Sequence, residues 1–170
     1  MKEKETMEAL RLYRHDLMND LQIVQGYASM GNMEKVQEKL AKWMDHFNEE
    51  RKLMNLDAPT FALWLIQFNS NHQNVRLSYY IDVEPMNLHV IDHTLVQECQ
   101  SVINMLEQLG DPLELYEGEL QLSDTDSAIQ VTLSLRGSFA EDDPSKYPTK
   151  WKIRKRNDGV SCSIYIPYQK

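Results

Sequence analysis

From Tyr13 to Gln25 the chain reads Y-R-H-D-L-M-N-D-L-Q-I-V-Q. The stretch holds no Gly or Pro, the two residues that cost a helix interior most. Around it, Met7, Leu10, Leu17, Leu21, Val24 and Ala28 recur at three- and four-residue steps, with Arg14 the one polar residue in the series. That is an a/d seam with a period near 3.5, sustained for about three heptads. At about 100° per residue, His15 lies roughly 160° from Leu17, on the side away from the seam. Asn19, Gln22 and Gly26 follow His15 at i+4, i+7 and i+11 and share its face, with Leu12, Ile23 and Met30 at its margins. The helix therefore carries an imidazole on a polar stripe that another protein can approach closely.

Working outward, the pattern predicts a first helix over about Glu5–Met30. Gly31 suits the position just past a helix end, and Asn32 suits the cap of the next helix. The second helix is predicted over Met33–Met54. Its seam is Met33, Val36, Leu40, Trp43, Phe47 and Met54, with Glu50 the polar exception. So short a connection forces an antiparallel helical hairpin. One hairpin cannot bury two broad apolar seams by itself. Two hairpins related by a twofold axis can, as a four-helix bundle. A homodimer is therefore expected, with one His15 per hairpin on the outside of the bundle. The polar seam residues Arg14 and Glu50 are placed to pair with each other or to fix register, and the sequence leaves both open.

The pattern changes after Asn55–Pro59, a short linker, which sets predicted domains at residues 1–56 and 57–170. Thr60–Asn71 reads as a short aromatic-rich helix, Val75–Val83 as a strand, and Asp92–Leu109 as a helix ended by Gly110-Asp111-Pro112. Leu113–Leu122 and Ala128–Leu135 read as a strand pair. Trp151–Arg156 and Val160–Tyr168 read as another, turning at Asn157-Asp158-Gly159, and Glu141–Pro148 as a polar loop between the pairs. The expected class is α+β, with a few helices against a mostly antiparallel sheet.

Composition bounds the function. The hydrophobic fraction of 42% in 170 residues supports a folded core. The net charge of −8 argues against nonspecific nucleic-acid binding. No apolar run approaches the roughly 18–20 residues that span a bilayer, and the start, M-K-E-K-E-T, is too charged for a signal peptide. No membrane association is expected. Cys99 and Cys162 are isolated thiols without metal spacing, consistent with a reducing cytoplasm. His46, His72, His89 and His93 lack any zinc-ligand pattern and read as structural or solvated. Lys150, Lys152, Arg154, Lys155 and Arg156 form a local basic cluster, more readily a solvated strand face than a contact for an acidic partner.

The string H-D-x-x-N-x-L-Q over Leu12–Gly26 resembles the phosphoacceptor histidine box of two-component signalling proteins. Beginning R-H-D, it looks most like the subgroup of sporulation phosphorelay phosphotransferases and citrate- and dicarboxylate-type sensor kinases. The resemblance implies a catalytic His15 attacking through Nε2, with Arg14, Asp16, Asn19 and Gln22 as supporting or docking residues. It implies a second domain like a sensor kinase's ATPase-like α/β sandwich. Such domains use an Asn-rich helix to hold Mg²⁺ and a D-x-G-x-G loop to admit nucleotide. Here the helix E-C-Q-S-V-I-N-M-L-E offers Asn104 alone, and no D-x-G-x-G occurs. The domain reads as degenerate. No cofactor is expected in this chain, with Mg²⁺ brought by a partner response regulator. The implied activity is transfer of a phosphoryl group between the aspartates of donor and acceptor response regulators through a phosphohistidine, in the initiation of sporulation. An ATP-dependent histidine kinase core and a noncatalytic dimeric scaffold are the alternatives.

Overall fold

The computed structural model describes residues 2–139 and 143–168. The first residues of the loop expected at Glu141–Pro148 lie outside that set. The chain divides into two compact units, Met1–Arg51 and Lys52–Lys170.

The first unit is a helical hairpin of α1 (Lys2–Ser29) and the greater part of α2 (Met33–Met54). Helix α1 starts a turn earlier than the seam alone predicts, and the Thr6 hydroxyl donates to the Lys2 carbonyl in that turn. Gly31 turns the chain at φ +71°, a conformation that costs side-chain-bearing residues energy. The Asn32 N–H returns to the Tyr27 carbonyl at 2.9 Å, and Asn32 Oδ1 accepts from the Lys35 N–H at 3.1 Å. One dipeptide thus ends one helix and caps the next. The antiparallel sense is fixed across the hairpin, where the Tyr13 hydroxyl donates to Glu50 Oε1 at 3.0 Å.

The predicted seams divide into two stripes. Leu17 and Val24 of the α1 seam are half-buried, with Asp20 and Tyr27 from outside the seam beside them, opposite buried Val36 and Glu50 and half-buried Trp43 of α2. The remaining seam residues are open: Met7 is 59% exposed, Leu10 57%, Leu21 44%, Met33 56% and Leu40 43%. A single partner helix shields only about a third of a helix's circumference, so the seam was too broad for the hairpin to close. Of the two roles left open for Arg14 and Glu50, pairing with each other is not seen among the described residues. Glu50 is held instead by Tyr13, one residue earlier, with His46 Nε2 at 3.6 Å from Oε2. Burial and then the neighbouring Glu50 push the Tyr13 phenol up to about 12.

The second unit is α+β. Helices α3 (Pro59–Asn71) and α4 (Asp92–Leu109) accompany a five-stranded sheet of β1 (Val75–Asp82), β2 (Tyr116–Asp124), β3 (Ala128–Arg136), β4 (Lys152–Arg156) and β5 (Gly159–Pro167). The order is β1-β2-β3-β5-β4. Only β1 and β2 run parallel, because α4 crosses between them; the other pairs are antiparallel. Strands β1 and β2 alternate buried and exposed residues, which gives the sheet one apolar and one open face. Phe61 and Phe68 of α3, Leu95, Ile103 and Leu106 of α4, and Leu120, Leu122, Ile129 and Leu133 of the sheet close the core. At the β4–β5 turn, a Cβ on Gly159 would fall on the Leu135 carbonyl oxygen, so only glycine fits.

Strand β2 begins at Tyr116, three residues later than expected. The Asp111 side chain accepts from the Leu113 N–H at 2.8 Å and its carbonyl from the Glu114 N–H at 3.1 Å, so the segment turns instead of pairing. Helix α3 has Ala58 at its N-cap and no side-chain cap of its own. Asp92, at the start of α4, supplies one: it accepts from the Thr60 N–H at 3.0 Å and the Phe61 N–H at 2.7 Å while itself only 2% exposed.

Candidate functional site

His15 sits mid-helix on α1 with its side chain 69% exposed. Its Nδ1 lies 3.3 Å from Asp16 Oδ1 and 3.4 Å from the Asn19 amide nitrogen. A carboxylate only accepts, so the Asp16 contact requires the proton on Nδ1. In that tautomer the Nε2 lone pair is free and faces outward, and the Asn19 amide contributes only with its oxygen turned to the ring. Both contacts are long, and they bias the imidazole's orientation more than they immobilise it.

The helix geometry places the sequence-derived residues unequally. His15, Asn19 and Gln22 share one exposed face, and Asp16 flanks it. Arg14 lies on the open apolar stripe with Leu10 and Leu21, about 100° from His15. It makes no hydrogen bond or ion pair among the described residues, so the structure does not bring it to the imidazole. Tyr13 and Glu50 were not singled out together by sequence. The spacing signal for them was weak, since Tyr13 sits one residue off the apolar series. No three His, Cys, Asp or Glu side chains converge as a metal site among the described residues. There, too, no helix is long and apolar enough to cross a membrane.

In the second unit, the lone asparagine of α4 is tied to its neighbours. Gln100 Nε2 donates to Asn104 Oδ1 at 2.7 Å, and Gln100 Oε1 accepts from Trp64 Nε1 at 2.8 Å. Asn104 therefore belongs to the α3 side of α4. The opposite edge carries Glu98, which accepts from Lys150 at 2.9 Å ahead of β4.

Comparison with known proteins bears on both units. Residues 1–56 match the sensor kinase SpoOB-type alpha-helical domain. That match covers the hairpin and the histidine box together. The chain is 27% identical over 136 residues to sporulation initiation phosphotransferase B of Bacillus subtilis strain 168, covering 79% of this chain and 70% of that one. Among solved structures it is similar to histidine kinase ThkA in complex with the response regulator TrrA, at 17% identity and a TM-score of 0.39. The alignment takes in 98% of this chain, which spans 63% of the length of that kinase. The ThkA catalytic domain aligns with 68% of this chain at a TM-score of 0.43 and 17% identity. The SpoOB-type match starts at the first residue and ends two residues after α2.

Proposed function

We propose that this chain is a phosphorelay histidine phosphotransferase that moves a phosphoryl group between response regulators through His15, in the control of sporulation. One observation carries the reading. An exposed imidazole, with Nδ1 3.3 Å from Asp16 Oδ1, stands in an H-D-x-x-N box on a helical hairpin that matches the SpoOB-type domain. The family match and the relationship to a named phosphotransferase support it.

The reaction needs little covalent help from the protein. The His15 Nε2 lone pair attacks the phosphorus of an aspartyl phosphate; an N–P bond forms, the acyl P–O bond breaks, and the regulator's carboxylate leaves with the electron pair. The second transfer is the reverse, onto the aspartate of another regulator. No proton need move at Nε2, because the Nδ1–H···Asp16 contact already sets the tautomer. Asp16 also favours the positive imidazolium that develops as the bond forms. Asn19 and Gln22, on the same face, position the incoming regulator. Mg²⁺ belongs on the regulator's carboxylates, where it neutralises charge on the phosphoryl oxygens. Asp16 alone offers too few oxygens to hold such an ion here.

Residues 57–170 serve this reading as a degenerate kinase ATPase-like domain. Asn104 is committed to Gln100 and the α3 side, which disfavours the ATP-dependent alternative. A cytoplasmic location follows from the proposed partners.

The open stripes of Met7, Leu10 and Leu21 on α1 and Met33, Leu40 and Met44 on α2 lie on the same side of the hairpin by helical geometry. Joining them across a twofold axis makes a four-helix bundle homodimer and leaves His15 outside. Leu40→Asp buries a carboxylate at that junction and weakens dimerisation by at least about 100-fold. Analytical ultracentrifugation should show a monomer for this variant and a dimer for the parent.

The test of the activity is label transfer. A single-domain response regulator phosphorylated with ³²P, mixed with this chain and Mg²⁺ without ATP, should place acid-labile, base-stable label on it. Label arriving only from ATP would make the chain a kinase.

A further inference from the structure

Five of the chain's 18 basic residues fall within the seven residues Lys150–Arg156, and none of its 26 acidic ones does. The rest of the chain is therefore strongly acidic, and this segment is a local positive pole. The structure says where that pole points. Lys152, Arg154 and Arg156 alternate along edge strand β4 and are exposed. Ile153, between the first two, packs against the core, so these three side chains share the sheet's open face. Their partners on β5 are Ser163, Ser161 and Gly159, and across β3 the row continues to Thr132, Ser134 and Arg136. The β4 side of the face is thus basic and lined with small hydroxyl side chains, with Tyr165 60% exposed on the same strand as the serines, and it ends where Glu117 and Glu119 of β2 stand beside Arg136 and Ser134. Lys150 is drawn off to Glu98, but Arg136, Lys152, Arg154 and Arg156 make no ion pair among the described residues.

We propose that this β4–β5–β3 face docks the acidic surface of a protein partner, and, resting on the function proposed above, that the partner is the response regulator that exchanges phosphoryl groups with His15. The size and shape of the pole favour a protein. Five residues of strand span about 17 Å. A nucleic acid or an anionic membrane would extend well beyond that and meet the acidic remainder of the chain, whereas a compact acidic patch would not. Charge on an edge strand has another use, discouraging strand-to-strand association of copies. Charge reversal separates the two roles: Lys152→Glu/Arg154→Glu/Arg156→Glu keeps the edge charged and inverts its field.

The experiment is fluorescence anisotropy of a labelled single-domain response regulator titrated with the full chain, at about 50 and about 300 mM NaCl, in parallel with the ATP-free label transfer. The parent should bind roughly tenfold more weakly at the higher salt. The triple variant should lose at least about tenfold in affinity at low salt, show a flattened salt dependence, and keep the parent's thermal unfolding. Equal affinity and equal salt dependence would overturn the docking face, even with label transfer intact. Salt-sensitive binding that the reversal abolishes, without label transfer, would uphold the face and overturn the phosphotransferase reading. Tighter binding to single-stranded DNA or to phosphatidylglycerol vesicles than to the regulator would overturn the assignment to a protein partner.

Discussion

His15→Gln should abolish phosphoryl uptake, by at least about a thousandfold, and leave the protein's stability within about 0.5 kcal/mol of the parent. Glutamine fills similar space and keeps an amide that can meet Asp16, but its nitrogen lone pair is delocalised into the carbonyl and cannot attack phosphorus. The stability expectation follows from exposure. The imidazole is mostly in solvent and buries no partner, so nothing in the hairpin depends on it. Chemistry and fold therefore separate cleanly at this position. Label transfer from a phosphorylated regulator reads the first effect, and denaturant unfolding reads the second. Asp16→Asn is the informative companion. It removes the charge beside Nδ1 while keeping an acceptor, so uptake should slow by about tenfold without being lost. An unchanged rate would reduce Asp16 to a surface carboxylate.

Asp92→Ala should destabilise the second unit strongly although it removes no apolar packing. The Asp92 carboxylate is nearly inaccessible and accepts from two backbone N–H groups at the start of α3. Those groups have no other cap, because Ala58 offers no side-chain acceptor. Removing the carboxylate leaves two donors buried at the positive end of a helix dipole. The expected loss is about 2–4 kcal/mol: charge-assisted hydrogen bonds contribute about 1.5–3 kcal/mol and unsatisfied buried donors cost more than the bond itself gains. Asp92→Asn keeps an acceptor and should recover part of that loss. Urea unfolding monitored by tryptophan fluorescence checks both, since Trp64 lies on α3 itself and stacks on Phe61, whose N–H is one of the two donors. A loss under about 0.5 kcal/mol in Asp92→Ala would show that α3 is held by its aromatic face alone.

Much of this was legible in the chain itself. Unbroken apolar periodicity gave α2 and α4 to the residue, because Gly31-Asn32 and Gly110 mark their limits without ambiguity. The strands followed from alternation wherever one face is buried. Three features were not legible. The strand start at Tyr116 was missed because Leu113 and Leu115 look β-prone while the Asp111 side chain, working locally, closes a turn. The division of the helical seam into a shielded and an open stripe was missed because a periodic pattern gives the width of an apolar face and not how much of it one partner helix covers. The Tyr13–Glu50 bond was missed because it joins residues 37 apart, and no local pattern encodes that pairing. At the candidate site, sequence pointed to His15 with Arg14, Asp16, Asn19 and Gln22, and the seam already set Arg14 on another side of the helix from His15. Only geometry shows that Asp16 and Asn19 both address Nδ1.

The most direct measurement is a two-regulator relay. A ³²P-labelled single-domain regulator, an unlabelled second regulator with its own receiver domain, Mg²⁺ and catalytic amounts of this chain are combined without nucleotide, and label on all three is followed over time. The account predicts brief label on this chain, then accumulation on the second regulator, and neither with His15→Gln. Label reaching the second regulator equally fast with His15→Gln, or reaching this chain only when ATP is added, would contradict it.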